Sequence, residues 1–358
     1  MLVGGILAAL VFVGVTENTT AIYFLHQMKK NARQARPFYI LLHAMTACDI
    51  LVLLTAGMMS SISGLSRKWL FGDAGCKAYA FLSFFFALTN ENLIVGISLY
   101  RYIFVCKPHY KEFLSTKNVY YWIAMSMGYS VFWCSLPLLG FSNYELEPIG
   151  IVCSANWQSN ELDSVSYTCL IMFFCFILQA IILGKLYHEI VNKTKGLFGF
   201  AGCNSSIITK MKKLEKRRNW LCLLLVLTFI ITWSPYAIIS MLRRITGPID
   251  KWIHAFPILL AKTSPVICPI IYRFAGHDFN MSMPCSNCCN IHVHCSCLLG
   301  QDAETIVDDI AIRNLKFHGI LTDHQAAKIS KKRITPLSPP SNRVVPLTPS
   351  NQAEDDQA

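Results

Sequence analysis

Seven stretches dominated by apolar residues recur along the chain, near residues 2–26, 38–63, 73–105, 119–140, 164–190, 216–243 and 252–273. Crossing a hydrocarbon core of about 30 Å takes about 20 apolar residues in a helix, and each stretch is that long. Inside a bilayer every backbone N–H and C=O must be bonded within the protein, so the pattern predicts an all-α membrane fold, a closed bundle of seven helices. After Phe274 the pattern stops. Polar residues and prolines accumulate, and Ile334-Thr335-Pro336-Leu337-Ser338-Pro339-Pro340 reads as a disordered tail. The predicted organisation is a seven-helix domain over 1–274, a short amphipathic eighth helix with a Cys-rich juxtamembrane segment over 275–300, and a disordered cytoplasmic tail over 301–358. No internal repeat is evident, which argues against a transporter built from duplicated halves.

Composition agrees with a multi-pass membrane protein: 53% of residues are hydrophobic, mean hydropathy is +0.41, and only 15% are charged, against about a quarter in soluble domains. The excess of 32 Lys and Arg over 21 Asp and Glu would suggest nucleic acid in a soluble chain. Here it sits in alternate loops, so no nucleic-acid partner is expected. Lys29, Lys30, Arg33 and Arg36 follow the first stretch, Lys107, Lys111 and Lys117 the third, and Lys210, Lys212, Lys213, Lys216, Arg217 and Arg218 precede or open the sixth. The positive-inside rule puts these loops and the C-terminus in the cytoplasm and the N-terminus outside, with the plasma membrane the expected location. Arg67-Lys68 and Arg243-Arg244 fall on the outer side, so the bias is incomplete. No charged region precedes the first apolar run, so no cleavable signal peptide is expected.

Most of the fifteen cysteines lie in apolar helices, where Cys acts as a small hydrophobe. Cys76 and Cys153 instead fall on the oxidising outer side, where a disulfide would pin the loop before helix five to helix three; two free thiols are the alternative. Cys285, Cys288 and Cys289, after an amphipathic stretch containing Phe279, read as palmitoylation sites contacting membrane lipid. The rival is a zinc site from Cys285, Cys288, His292, His294, Cys295 and Cys297; that spacing is too compressed for a familiar finger, so no metal is expected.

Lys262 lies well inside the seventh stretch, where a cation is costly unless function requires it. Desolvation favours a neutral amine, which is a nucleophile toward an aldehyde. A protonated imine formed there is again a buried cation and needs a carboxylate. The alternative is a lysine snorkelling to water.

Further residues tie these features together. Arg101-Tyr102 closes helix three, Trp233-Ser234-Pro235-Tyr236 lies in helix six, and Cys268-Pro269-Ile270-Ile271-Tyr272 ends helix seven. On these motifs residues 1 to about 280 resemble the rhodopsin-like receptors, and Lys262, ten residues before Tyr272, resembles the retinal-attachment lysine of opsins. Trp69-Leu70-Phe71-Gly72 and the Pro148/Gly150 loop are similar to those of the neuropsin, peropsin and retinal G-protein-coupled receptor branch. The resemblance implies a non-enzymatic light sensor carrying retinal (11-cis or all-trans) and signalling to a heterotrimeric G protein, with arrestin and receptor kinase as regulators. Thr335, Ser338 and Thr348 precede prolines and are candidate phosphorylation sites for arrestin. Tyr79 stands where vertebrate visual opsins carry a glutamate, and a tyrosine cannot neutralise a cation at pH 7. Glu147, six residues before Cys153, matches the alternative opsin counterion position; a solvated loop acid is the competing reading, and Glu145 is expected to be one. Trp233 and Tyr236 would flank the polyene, and Pro235 would kink helix six.

Departures from the family pattern cluster below the pocket. Glu91 stands where an apolar residue is usual, and Gln179 replaces the helix-five proline. Beside Phe229, a protonated Glu91 hydrogen-bonded to Gln179 would make a polar switch; a second counterion or proton acceptor is the alternative. Asp49 is expected in a buried network with Asn18, Asn90 and Ser264, which would bury the Asn18 sequon. The acid before Arg101 is Tyr100, so Glu215 becomes the expected resting partner of Arg101. Tyr187 and Tyr272 occupy positions where tyrosines stabilise the active state. Cys268 replaces an asparagine, Met127 the usual helix-four tryptophan, and Gly57 a lysine found in some neuropsins. Tyr100 and Cys268 keep open a retinal photoisomerase with weak or no G-protein coupling. A chemoreceptor for a soluble ligand, with Lys262 as an ion-pair partner, is the reading from a different class.

Overall fold

The computed structural model describes residues 2–31, 36–157, 159–199, 206–246 and 251–276, with backbone alone at several of them, including 206–215 and 272. Seven helices are present among these residues, as predicted. They are α1 (Leu2–Asn31), α2 (Arg36–Leu65), α3 (Gly72–Cys106), α4 (Thr116–Ser135), α5 (Leu162–Ile171, continuing through Leu178–Gly199), α6 (Ser206–Thr246) and α7, in two pieces, Lys251–Ala261 and Ser264–Gly276. Five of them, α1, α2, α3, α5 and α6, are by themselves long and apolar enough to cross a bilayer. The amphipathic helix and palmitoylation sites predicted over 275–300, and the tail over 301–358, lie outside the described residues.

α3 is the central element, packed on α2, α4, α5 and α6, while α1 lies against α2 and α7. One close approach has a clear sequence cause. At Gly96 on α3 a Cβ would lie 2.2 Å from Nε1 of Trp122, so only glycine admits the α4 indole there. Trp122 also donates to the Asn92 carbonyl at 3.1 Å, whereas Met127 faces outward. The bundle holds two apolar clusters, one around Leu42, Met45, Leu93, Ile97, Leu225 and Phe229 toward Arg101, the other around Tyr79, Trp133, Tyr144, Trp157 and Tyr167 toward Cys76. Outward faces carry exposed Phe12, Met125, Ile231 and Phe256, as a lipid-facing surface requires.

Three irregularities shape the interior. α2 and α5 each contain a π turn, at Leu53–Gly57 and Met172–Ile177. α7 breaks at Lys262-Thr263 because Pro265 has no N–H to continue the ladder and its ring crowds the preceding turn. The Thr263 amide therefore bonds only three residues back, to Leu260 O at 3.0 Å.

Between α4 and α5 the chain forms an antiparallel hairpin, β1 (Tyr144–Leu146) and β2 (Cys153–Ala155), pairing Leu146 with Cys153. Its turn uses Pro148, whose fixed φ suits a turn, and Gly150 at φ 74°, a backbone favoured by glycine. The Cys76–Cys153 disulfide is formed, with Cα atoms 5.4 Å apart, and ties β2 to the start of α3.

Candidate functional site

Helical spacing brings the site together. On α3, Tyr79, Ser83, Phe86, Ala87, Asn90, Glu91 and Ile94 recur every three or four residues and share one face. On α6, Phe229, Trp233 and Tyr236 do the same, as do Met45, Asp49 and Val52 on α2. These faces, the β hairpin and the broken segment of α7 line one partly open cavity, whose space of about 930 Å³ includes some that is continuous with solvent. Lys262, Glu147, Tyr79, Trp233 and Tyr236 all line it, so the structure gathers every residue the sequence assigned to the ligand.

Lys262 occupies the break in α7, half-buried, its amide bonded to Ile258 O at 3.2 Å. Its Nζ lies over the Tyr79 ring, 5.0 Å from the centroid, a cation–π geometry. No ion pair to Lys262 occurs among the described residues.

Glu147 is 4% exposed and far from a solvated loop acid. Its backbone is clamped where the hairpin turns: its N–H donates to Val152 O at 2.9 Å, and its carbonyl accepts from Gly150 N–H at 2.8 Å. The carboxylate accepts from the Ser154 hydroxyl and from Tyr236 Oη at 3.1 Å, and the Tyr236 hydroxyl in turn accepts from Trp157 Nε1 at 2.8 Å. Ser154 and Trp157 were not singled out in the sequence. Their signal was slight, a serine and a tryptophan just after the loop cysteine. Glu145 is half-buried on β1, more open than Glu147 as expected of the two.

The deeper polar positions form two separate groups. Asn90 Nδ2 donates to Asp49 Oδ1 at 2.6 Å, and Ser264 lines the same cavity. Asn18 is fully buried and bridges α1 to the α7 break, donating to Gly14 O at 2.8 Å and Pro265 O at 2.7 Å. The proposed Glu91–Gln179 bond is not formed. Gln179 Nε2 reaches Asn92 Oδ1 at 3.4 Å instead, one residue further and so about 100° around α3. A π turn, Met172–Ile177, lies just upstream of Gln179 on α5. Glu91 remains buried near Phe229, and its Oε1 has no hydrogen-bond partner.

At the other end Arg101 is 2% exposed and donates to Asn219 Oδ1 at 3.0 Å; Asn219 Nδ2 donates to Thr194 Oγ1 at 3.1 Å. This chain joins α3, α6 and α5. The side chains of Glu215 and Tyr272 lie outside the described residues, and Tyr187 is half-buried on α5. Tyr100 packs on Phe38, ring centroids 5.6 Å apart. An ion pair missed in the sequence, Arg273–Glu17 at 3.0 Å, joins the end of α7 to α1.

The helix order, the α3–hairpin disulfide and the lysine at the α7 break define a receptor-type bundle. A family model described as "7 transmembrane receptor (rhodopsin family)" matches residues 17–272, and the chain belongs to that family, one of receptors rather than enzymes. Curated proteins it resembles include several named as opsins, in agreement with the opsin resemblance of the sequence. It is 27% identical over 274 residues to Opsin-5 of Mus musculus, covering 75% of this chain and 73% of that one. It is 28% identical over 282 residues to "Rhodopsin, G0-coupled" of Mizuhopecten yessoensis, covering 78% and 70%. It is 26% identical over 298 residues to the visual pigment-like receptor peropsin of Mus musculus, covering 80% and 86%. Among solved structures, squid rhodopsin shares the fold with a TM-score of 0.69 at 21% identity, over 94% of this chain and 91% of that one.

Proposed function

We propose that the protein is a light-sensing opsin that holds retinal on Lys262 through a Schiff base, with Glu147 as counterion, and couples photoisomerisation to a heterotrimeric G protein. One observation carries this reading: a lysine without an ion-pair partner among the described residues and a buried carboxylate face the same largely apolar cavity. That donor set fits an elongated aldehyde. When bound, retinal supplies the carbonyl that Lys262 attacks and a polyene that changes shape on absorbing light.

The residues have distinct tasks. Lys262 provides the nucleophilic nitrogen, and the missing ladder bond at Pro265 leaves local backbone freedom beside it. Glu147 offers negative charge to a cation at Nζ, while Ser154 and Tyr236 hold that carboxylate in place by hydrogen bonds. Tyr79 contributes its ring face but no charge. Trp233 and Tyr236, at 90° to each other with centroids 6.4 Å apart, wall the cavity on α6. Pro235 between them makes α6 the natural element to bend. The disulfide favours an oxidising outer face at the hairpin end and hence a cytoplasmic Arg101 end in the plasma membrane.

The test is to incubate the purified protein with 11-cis and with all-trans retinal, record spectra in dark and light, and trap with borohydride. The expected result is a visible band and a covalent adduct with at least one isomer, both absent from Lys262→Ala. Absence of an adduct with both isomers sinks the reading. A second reading, a retinal photoisomerase, is favoured by Tyr100, which packs in an aromatic contact at the place of the acid beside Arg101. G-protein activation in light and dark divides the two; the relative named as G0-coupled supports the receptor.

A further inference from the structure

Ser83 on α3 carries a hydroxyl that behaves unlike others in the bundle. A serine or threonine within a helix commonly returns its hydroxyl to the carbonyl four residues back. Thr46, Thr89, Ser126, Ser130 and Thr232 do so here, at 2.7–2.9 Å. Ser83 Oγ is buried and has no hydrogen-bond partner. Such an atom costs stability until something bonds to it. Ser83 also lines the cavity that contains Lys262.

Other polar groups on this cavity are engaged or distant. The Ser154 and Tyr236 hydroxyls are bonded to Glu147. Asn90 holds Asp49, and Glu91 follows Asn90 in the chain. Both α3 residues lie about three turns beyond Tyr79, ~17 Å along the helix at about 1.5 Å per residue. Ser83 is four residues beyond Tyr79, so it shares that face about 6 Å away along the axis. The Tyr79 ring is where Lys262 Nζ lies, 5.0 Å from the centroid. Ser83 is therefore the first polar residue on the cavity face of α3 after that contact. Ser264, which lines the cavity from α7 itself, is the rival hydroxyl.

Glu147 leaves one task open. It shares the cavity but makes no ion pair with Nζ, and its carboxylate already accepts from Ser154 and Tyr236. A buried cationic nitrogen with an N–H requires an acceptor for that hydrogen as well as a negative charge nearby. We propose that the Ser83 hydroxyl accepts the hydrogen bond from the N–H of Lys262 once retinal is attached. Glu147 then supplies charge and Ser83 supplies direction, since a hydroxyl accepts without adding a charge of its own. The inference rests on attachment at Lys262.

The experiment loads wild type, Ser83→Ala and Ser264→Ala with 11-cis and with all-trans retinal. Resonance Raman spectra are recorded in water and in deuterium oxide, at a pH acid enough for the visible band. The C=N stretch falls on deuteration by an amount that grows with the strength of the hydrogen bond at N–H. That fall should be smaller in Ser83→Ala than in wild type and unaltered in Ser264→Ala. Apparent Kd for the adduct should rise about tenfold in Ser83→Ala, the effect of one good hydrogen bond. The ligand-free protein gives a separate readout. Removing a buried hydroxyl that has no partner should leave its Tm equal or higher, whereas a lowered Tm would mark a hydroxyl that serves the fold and overturn the inference. An equal isotope shift in wild type and Ser83→Ala, or one diminished only in Ser264→Ala, overturns it too and leaves attachment at Lys262 standing. No adduct with either isomer overturns the Lys262 reading and the role of Ser83 with it.

Discussion

The two ends of the bundle hold their buried charges in opposite ways. At the hairpin end, Glu147 is enclosed by donors from β2 and α6 and by its own clamped turn, and an amine of opposite sign lines the same cavity. At the far end, the Arg101 guanidinium is equally buried but donates to a neutral amide, Asn219, with Tyr100 beside it in the chain where the family pattern has an acid. The first arrangement fixes a charge for a partner of opposite charge. The second links α3, α6 and α5 through the bonds from Arg101 to Asn219 and from Asn219 to Thr194, and a bond to a charged group contributes about 1.5–3 kcal/mol. On the proposed reading, the hairpin end holds the counterion in place, and the Arg101–Asn219 bond is one contact that an outward swing of α6 would break.

The largest expected effect breaks the hairpin end outright. Lys262→Ala removes the only proposed point of attachment, so covalent pigment should vanish in the borohydride assay while the disulfide and fold persist. A residual adduct would assign attachment elsewhere and dissolve the contrast between the ends. Glu147→Gln comes next. Stranding a buried cation costs about 3–5 kcal/mol, or about 2–4 pH units at about 1.4 kcal/mol per unit. The carboxylate favours the positive form of Nζ, so its removal lowers the pH at which the pigment loses that proton. The visible band should survive only in more acid solution than in wild type. A spectrophotometric pH titration checks this, and an unmoved midpoint would reassign the counterion.

How far these features were legible depends on what forces each one. Lipid requires continuous apolar runs, so all seven helices could be read from hydropathy, including their order and rough limits. Lys262 stood out because a cation is expensive there, and Glu147 because its distance from Cys153 fits a known position. The geometry around them was hidden. Ser154 and Trp157 are ordinary loop residues until the hairpin register places them beside the carboxylate and Tyr236. The break in α7 had a signal in Pro265 that was not used. The π turns have no comparable marker: neither Leu53–Gly57 nor Met172–Ile177 contains a proline. The pairing of Gln179 with Glu91 came from the family pattern, and in this structure the amide meets Asn92 instead. Asn219 carried no signal in the sequence, because the family pattern points to an acid beside Arg101 and an amide that accepts from a guanidinium has no motif of its own.

A smaller effect sharpens the comparison from the hairpin side. Replacing both Cys76 and Cys153 by serine frees β2 from α3, and loss of a native disulfide typically costs about 2–4 kcal/mol. Thermal denaturation of the detergent-solubilised protein should show a lower Tm, and retinal should leave the variant faster because Glu147 is held by the same hairpin. An unchanged Tm with unchanged retention would mean that Val152, Ser154 and Tyr236 position Glu147 without the covalent tie.

The smallest effect tests the Arg101 end. An outward swing of α6 must part Asn219 from Arg101, because the two side chains sit on different helices 3.0 Å apart. Asn219→Ala removes that bond and the one to Thr194 together. If the chain restrains α6, the variant should activate G protein in the dark about tenfold more than wild type, the equivalent of about 1.4 kcal/mol. Asn219→Asp should do the reverse, since an anion beside Arg101 gives a stronger, charge-assisted bond. Opposite changes from these two substitutions, measured by nucleotide exchange in dark and light, would show that the Arg101–Asn219 bond restrains α6. Equal dark activity in all three proteins would mean that the bond follows the helix rather than holding it. The weight would then shift to a bundle that binds retinal firmly and signals little.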